Sequence, residues 1–547
     1  KHREVARWAE ERLGERADEV VELLAAHYWS ALRYEEEFAT DEAALEELRT
    51  RTMRYAIAAA GRAYDVSQFA STAEWMRIAV AQARQLPLEP MEFAEIVVDY
   101  VRRTDQAETF EARLAAAREA IDRLMGMPEL TEDVRKQVAR LRGFEAYSAF
   151  SSGSEPVDDV RARLTAAIDL LDGIGPCFER ANLNRWLGWL AWRGGPFEAA
   201  EEPLRRSLEE ARIIGHEDIE RWAMHDLAIV LTRTEPDPEG LALMLRSYEL
   251  AREAKDVDLI GRCYINIPGT LTAFDRLEEA IAMAEEGFEV ARRTGDRTAQ
   301  YWIGNNLGDF YHASGRLSEA IPIQEEAIEA ARYIGYQPTM GLPEYAHMLF
   351  YAGRFDEARA VAEQVATTEH DVEPQNVGIE AVVGALAQWA DDPTGAIRRL
   401  RETVETVRTQ GPNRSLDLVA VYLARMGLRA GDRGATSEAA RLAAGIPELA
   451  IGNRSMMALA RWVTGIAAAA GATGEQVGEA AREIAAAGEQ LVARGWLGVA
   501  ADAFGDAALI AERHGLPEAT EWSTRAQALY EGGSAVSVLD GLRSGVH

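Results

Sequence analysis

Lysine is nearly missing from this chain. Only Lys1, Lys136 and Lys255 occur among 59 basic residues, the rest being Arg, against 90 Asp and Glu and a net charge of −31. Planar guanidinium forks suit ion pairing between helices. A surface this acidic repels phosphate, which argues against nucleic acid or anionic membrane as a direct partner. Cysteine is as scarce: Cys177 and Cys263 alone make neither a disulfide framework nor a zinc cluster, and read as inert core thiols of a reduced, cytoplasmic protein. No apolar run approaches the roughly 18 residues a membrane helix needs. The chain starts at Lys1 rather than Met and lacks a signal-peptide core, so it reads as a fragment that is not secreted. Alternating apolar runs bounded by hairpin turns are absent too, and the expected fold class is all-α.

Signatures of catalysis are also lacking. A phosphate-cradling loop needs Gly-x-x-x-x-Gly-Lys-Ser/Thr, and none of the three lysines has that context. There is no His-Glu-x-x-His, Cys-x-x-Cys or Gly-x-Ser-x-Gly. The nearest approach to a metal cluster, His216-Glu217-Asp218, sits at a helix end followed by acidic residues and reads as a solvated cap. The expectation is no catalytic residue, no metal, no cofactor and no enzyme activity in this chain.

What the sequence does contain is a period. Small residues recur at Ala200, Gly240, Ala280, Ala320, Ala358 and Ala396, in steps of 40, 40, 40, 38 and 38. A second marker, Ala-Arg at 211–212, 251–252, 291–292 and 331–332, repeats every 40 residues. Gly175, Gly215, Gly295 and Gly335 fall just past these helices, where a left-handed C-terminal cap favours a residue without Cβ. Each unit reads as two helices joined by a glycine turn, such as Gly195, Gly315 or Gly353. Arg-Leu-Ser-Glu (316–319) or Arg-Phe-Asp-Glu (354–357) then supplies an acidic first turn. Gly308 and Ala320 let the paired backbones approach closely. Two markers sharing one period identify a helical repeat.

The order Leu307-Gly308, Tyr311, Gly315, Ala320, Ala327 resembles the tetratricopeptide repeat, with units near 40 residues instead of 34. The resemblance implies helix-turn-helix repeats stacked in a right-handed superhelical solenoid. Long units of this kind are similar to those of bacterial signal-transduction ATPases, both LuxR-type large regulators and class III adenylate/guanylate cyclase–ATPase–repeat proteins. The opening 1–31 resembles their passage from the ATPase into the repeats, and 496–535 their closing helix pairs. No DNA-binding helix-turn-helix is legible at the C-terminal end, which favours the cyclase type. The organisation expected is a helical linker from an upstream module (1–50), irregular helix pairs (51–150) and regular repeats of 38–40 residues (151–411), then C-terminal repeats and cap (412–533) and a flexible tail (534–547), with the register unclear over about 411–495.

In such repeats the first helix of each unit lines the concave wall. With units starting at 181, 221, 261 and 301, the wall positions fall on Arg185, Trp186, Trp189 and Trp192, on Trp222, His225 and Asp226, on Asn266, and on Trp302, Asn305, Asn306 and Asp309. His312, Glu344, His347, Phe350 and Tyr351 continue the series. Large aromatics beside Arg, Asn and Asp can stack a ring or hold an extended peptide. An aromatic stripe at helical spacing is equally the mark of a packed core, and the asparagines fit an inter-helix polar network as well as a ligand. The Asn306 position is where peptide-binding members of the repeat family carry an asparagine that grips backbone. The function expected is a regulatory module binding a peptide or protein partner or a small-molecule effector. The alternative is an assembly scaffold without ligand, and homo-oligomers are compatible with either.

Overall fold

Alanine, leucine, glutamate and arginine at helical spacing, with glycine and proline gathered between runs, build the chain from helices alone in a computed structural model; among the described residues there is no strand. The structure describes all residues except 14–19, 39–40, 67, 105–106, 152–154, 195, 233–235, 368–376, 410–414, 446–452 and 545–547. The turn residue Gly195 and part of the stretch of unclear register therefore lie outside the described residues. No described helix is long and apolar enough to cross a membrane. The chain divides into two compact units, Lys1–Val230 and Leu231–His547.

The first unit holds α1 (His2–Leu13), α2 (Val21–Phe38), α3 (Glu42–Asp65), α4 (Phe69–Gln85), α5 (Pro90–Arg103), α6 (Phe110–Met125), α7 (Glu132–Ser151), α8 (Val157–Asp169), α9 (Phe178–Gly194) and α10 (Glu201–Ile214), with α11 (Glu217–Thr232) at its end. Each helix packs mainly on those one or two places away. Leu24, Tyr28, Leu32 and Leu48 form one core, Met76, Phe93, Val97 and Leu124 a second, and Leu164, Leu171, Leu183 and Leu190 a third.

The second unit runs α12 (Pro238–Ala254), α13 (Val257–Ala273), α14 (Leu277–Thr294), α15 (Arg297–Ala313), α16 (Leu317–Tyr333), α17 (Gly341–Tyr351), α18 (Phe355–Thr367), α19 (Val377–Trp389), α20 (Pro393–Thr409), α21 (Ser415–Ala430) and α22 (Arg433–Ala443). It closes with α23 (Arg454–Gly471), α24 (Glu475–Val492), α25 (Leu497–Arg513), α26 (Ala519–Gly532) and α27 (Val538–Ser544). The tail expected to be mobile thus carries a helix, in which Val538 and Leu539 are fully buried.

The repeating markers have a hydrogen-bonding cause. Gly215, Lys255, Gly295 and Gly335 all take left-handed φ, at 65°, 57°, 72° and 74°. The residue after each donates its N–H back to the alanine of the Ala-Arg marker: His216 to Ala211, Asp256 to Ala251, Asp296 to Ala291 and Tyr336 to Ala331, at 2.9–3.0 Å. This six-to-one bond satisfies a carbonyl the helix end would leave unpaired. Gly175 does not take this role; the left-handed residue before α9 is Gly173, φ 78°. Asp256 and Asp296 then cap the next helices through Leu259 and Ala299 N–H, and His216 Nδ1 accepts from Ile219 N–H at 3.3 Å, which makes it the cap expected. The turns within units repeat the motif at Asp275, Gly315 and Gly353 (φ 58°, 78°, 71°). After each, an Arg pairs with the Glu three residues on, as in Arg316–Glu319 at 2.7 Å.

Those three turns also close the second unit on itself. Asp275 accepts from Arg454 N–H at 2.6 Å and Ser455 N–H at 3.1 Å, capping α23, and Asn453 Nδ2 donates to Ala273 O at 3.0 Å. At the Gly315 turn, a Cβ on Gly498 would lie 2.7 Å from His312 O, and one on Gly533 2.7 Å from Gly315 O. Both glycines are required by that approach. At the Gly353 turn, Val536 N–H donates to Tyr351 O at 2.8 Å.

Candidate functional site

The tryptophan stripe of α9 enters packing within the first unit. Trp186 and Trp189 stand edge to face at 5.3 Å and meet Tyr147 and Phe150 of α7 at 5.0–5.9 Å. Trp192 keeps a buried indole N–H with no hydrogen-bond partner among the described residues, under the Arg193 guanidinium at 5.4 Å. Arg185 lies over the rings of Trp186 and Trp222, at 4.7 and 5.3 Å, and pairs with Asp226 Oδ2 at 2.9 Å. His225 is buried beside Asp226, 3.6 Å away. Burial alone would raise the Asp226 carboxyl; His225 and Arg185 outweigh it and hold it below the usual range. These groups form one network between α9 and α11.

The asparagines of the second unit are likewise engaged. Asn266 Nδ2 donates to Arg262 O of its own helix at 2.9 Å. Asn306 Nδ2 donates to Ile265 O at 2.8 Å, gripping the backbone of α13. Asn305, buried, accepts from Gln324 Nε2 at 2.7 Å, and the same nitrogen reaches Gly341 O at 3.0 Å, so one amide ties α15, α16 and α17. Trp302 packs with Tyr301 and Tyr336 at 5.1 and 6.2 Å.

One predicted residue differs. Asp309 is exposed by area, yet surrounding protein desolvates its carboxylate enough to push the pKa up to about 6. Three residues on, one turn along the same face, lies His312, whose pKa burial pushes down to about 4. The neighbouring first helix repeats the pattern: Glu344, raised by burial and by the charge of Asp309, then His347, lowered by burial and by His312 and Arg425. The two imidazoles meet edge to face at 5.1 Å, and Tyr351 packs on both at 4.9 and 5.2 Å. The result is two carboxyls and two neutral imidazoles on adjacent first helices. Among the described residues neither carboxyl has a hydrogen-bond or ion-pair partner. No group of three or more His, Cys, Asp or Glu among the described residues is placed to hold a metal ion.

Beyond Tyr351 the polar chain continues into residues that the sequence reading passed over. His347 Nε2 meets Tyr422 Oη at 2.7 Å, and Tyr422 meets Tyr351 at 2.9 Å. Tyr351 and Tyr530 hydroxyls donate to Asp502. Arg425, wholly buried, forks onto Asp502 with two bonds of 2.6 Å and reaches Asp506 at 3.3 Å. Arg429 bonds Asp506 at 2.6 Å and Asp540 twice at 2.8 Å, and Trp462 Nε1 donates to Asp506 at 3.1 Å. A signal was present: Arg425/Arg429 and Asp502/Asp506 are charges four apart on otherwise apolar helices. Such residues are almost never buried unless paired, so opposite charges in matching registers were candidates for each other. Both cysteines are buried and free, with the Cys263 thiol pushed up to about 12 by burial.

A tetratricopeptide-repeat family profile matches residues 303–332. No curated protein sequence matches the chain. Among solved structures, the apo form of the quorum sensor NprR from B. thuringiensis is 14% identical, with a TM-score of 0.50 over 65% of this chain and 97% of its own. A Rap protein complexed with competence and sporulation factor is 14% identical, TM-score 0.41, over 81% and 99%. A signal transduction ATPase with numerous domains and a tetratricopeptide repeat sensor, from Pyrococcus horikoshii, is 12% identical, TM-score 0.40, over 62% and 52%. The likeness to NprR is one of fold: the chain is all-α, built from tetratricopeptide-like helix-turn-helix repeats.

Proposed function

We propose that this chain is a non-catalytic regulatory binding domain that takes an extended peptide or protein segment along its first helices, with a basic group of that segment set between Asp309 and Glu344. The observation carrying this reading is a pair of carboxyls, Asp309 and Glu344, near enough for the charge of Asp309 to raise Glu344 and without an ion-pair partner among the described residues. Like charges held close together disfavour each other's ionisation, and a cation placed beside them relieves that cost. The neutral imidazoles of His312 and His347 supply further polar contacts without competing charge. A quorum sensor of the same fold is a precedent for a sensing role. A small-molecule amine or guanidine would meet the same chemistry.

The test is selection of displayed random peptides on the whole chain, compared with the Asp309→Asn/Glu344→Gln variant. Enrichment of Arg- or Lys-containing sequences by the native chain, lost in the variant at unchanged helix content, supports the reading. Enrichment independent of basic residues, or equal in both proteins, overturns it.

The finer assignment rests on the long repeat unit and the opening 1–31. By that resemblance the domain is a cytoplasmic regulator fused to an upstream ATPase and a nucleotidyl cyclase, which would carry the catalysis; a LuxR-type regulator is the alternative parent. A ligand-free scaffold for oligomer assembly is the competing role, and selection of no peptide at all would favour it.

A further inference from the structure

The C-terminal segment is bound to the second unit in the way a peptide is bound to a receptor. After Gly532-Gly533, Ser534 takes a left-handed φ of 56°. The chain then crosses the ends of three successive first helices. Val536 N–H donates to Tyr351 O of α17 at 2.8 Å. The Trp389 indole of α19 donates to Leu539 O at 3.1 Å. Arg429 of α21 takes the Asp540 carboxylate in a two-bond fork, at 2.8 Å each. Val538, Leu539 and Leu542 are buried beneath. Backbone bonds, apolar anchors and one charge anchor are the means by which grooves read short segments.

Charge balance does not require this occupant. Arg425 and Arg429 are already matched by Asp502 and Asp506, two against two, without the tail. Asp540 is a third carboxylate on that pair, and its side chain is 54% exposed. Its departure strands no buried charge, whereas removal of Asp502 or Asp506 would.

We propose that residues 534–543 are a removable strap, the resident occupant of a peptide-recognition groove built from Tyr351, Trp389 and Arg429. A partner segment of the same chemistry would replace it: two adjacent apolar residues, a carboxylate directly after them and a third apolar residue two further on. The Arg429 fork holds the carboxylate ionised, at a pKa of about 2 for Asp540. This proposal does not rest on the Asp309–Glu344 reading, which concerns other residues and a basic ligand.

Two measurements test it. Hydrogen exchange on the intact chain reads strap opening: the amides of 536–544 should exchange at least tenfold faster than those of α21 and without global unfolding. Equal protection overturns the proposal. A labelled peptide of residues 533–547 should bind the chain ended at Gly533 at least tenfold tighter than the intact chain, and the same peptide with Asp540→Asn should lose at least tenfold. Absence of binding to a shortened chain of unchanged helix content overturns it, and so does unfolding of the second unit on shortening. Asp540→Asn in the intact chain, a change at a half-exposed side chain, gives a reading that does not depend on the shortened protein: strap exchange should quicken and peptide binding rise.

Discussion

Single charges on this molecule divide by whether a partner answers them. Asp309 has none among the described residues, and its raised pKa fixes the sign of a pH effect. The folded state favours the protonated carboxyl, so this residue's contribution is most favourable below its ordinary value near 4 and is lost as the pH rises through about 6. Asp309→Asn should therefore stabilise the second unit at pH 7, by no more than about 1 kcal/mol because the exposed carboxylate is partly screened. The gain should vanish below about pH 4. Thermal melts at pH 4 and pH 7 check both points, and a gain that is larger at the lower pH refutes them. Arg425 is the opposite case. Arg425→Met leaves Asp502 and Asp506 short of a buried counter-charge, which costs about 3–5 kcal/mol. Denaturant unfolding should show it, and a loss under 1 kcal/mol would mean the aspartates find water or protons instead.

At the scale of the element, the 40-residue period was legible because it reports local hydrogen bonding: Ala211, Ala251, Ala291 and Ala331 are repeated since each offers its carbonyl to a left-handed cap. One step of that lattice was missed, since Lys255 stands where the other units carry glycine. A left-handed backbone costs a Cβ-bearing residue about 1–2 kcal/mol, set against glycine's larger loss of freedom on folding, up to about 1 kcal/mol. Lys255→Gly should therefore stabilise the second unit by about 0.5–1 kcal/mol, and Gly295→Ala should destabilise by a similar amount. Paired urea titrations decide this; a loss on Lys255→Gly would show that the lysine makes contacts worth more than the strain. Helix interfaces were legible only in part. Gly188 admits Leu204 so closely that an added Cβ would lie 2.4 Å from its Cγ and 3.0 Å from Ala200 O, the kind of approach expected of Gly308 and Ala320. The contacts that the wall residues make were not legible, because Asn306 and Arg185 bond Ile265 O and Asp226, a full unit away, and a periodicity does not locate those groups.

For the whole molecule, periodicity speaks only of neighbours, and what separates the second unit from a simple stack is contact between residues far apart in sequence. Arg185–Asp226 in the first unit spans 41 residues, whereas Tyr351–Asp502 spans 151 and Asn453–Ala273 spans 180. A stack held by nearest-neighbour interfaces frays from any weak point, while one closed by distant contacts unfolds as a larger cooperative piece. Asp275 is where this can be probed. Its carboxylate serves the backbone of α23 and pairs with Arg494 at 3.5 Å, and its own turn needs no side chain. Asp275→Gly keeps the left-handed turn and deletes only the closure. Loss of the cap should cost about 1 kcal/mol, and hydrogen exchange should quicken together in α14, α23 and α24. Faster exchange confined to the first turn of α23 would mean that the contact is a local cap and that the second unit, like the first, is held by neighbouring helices alone.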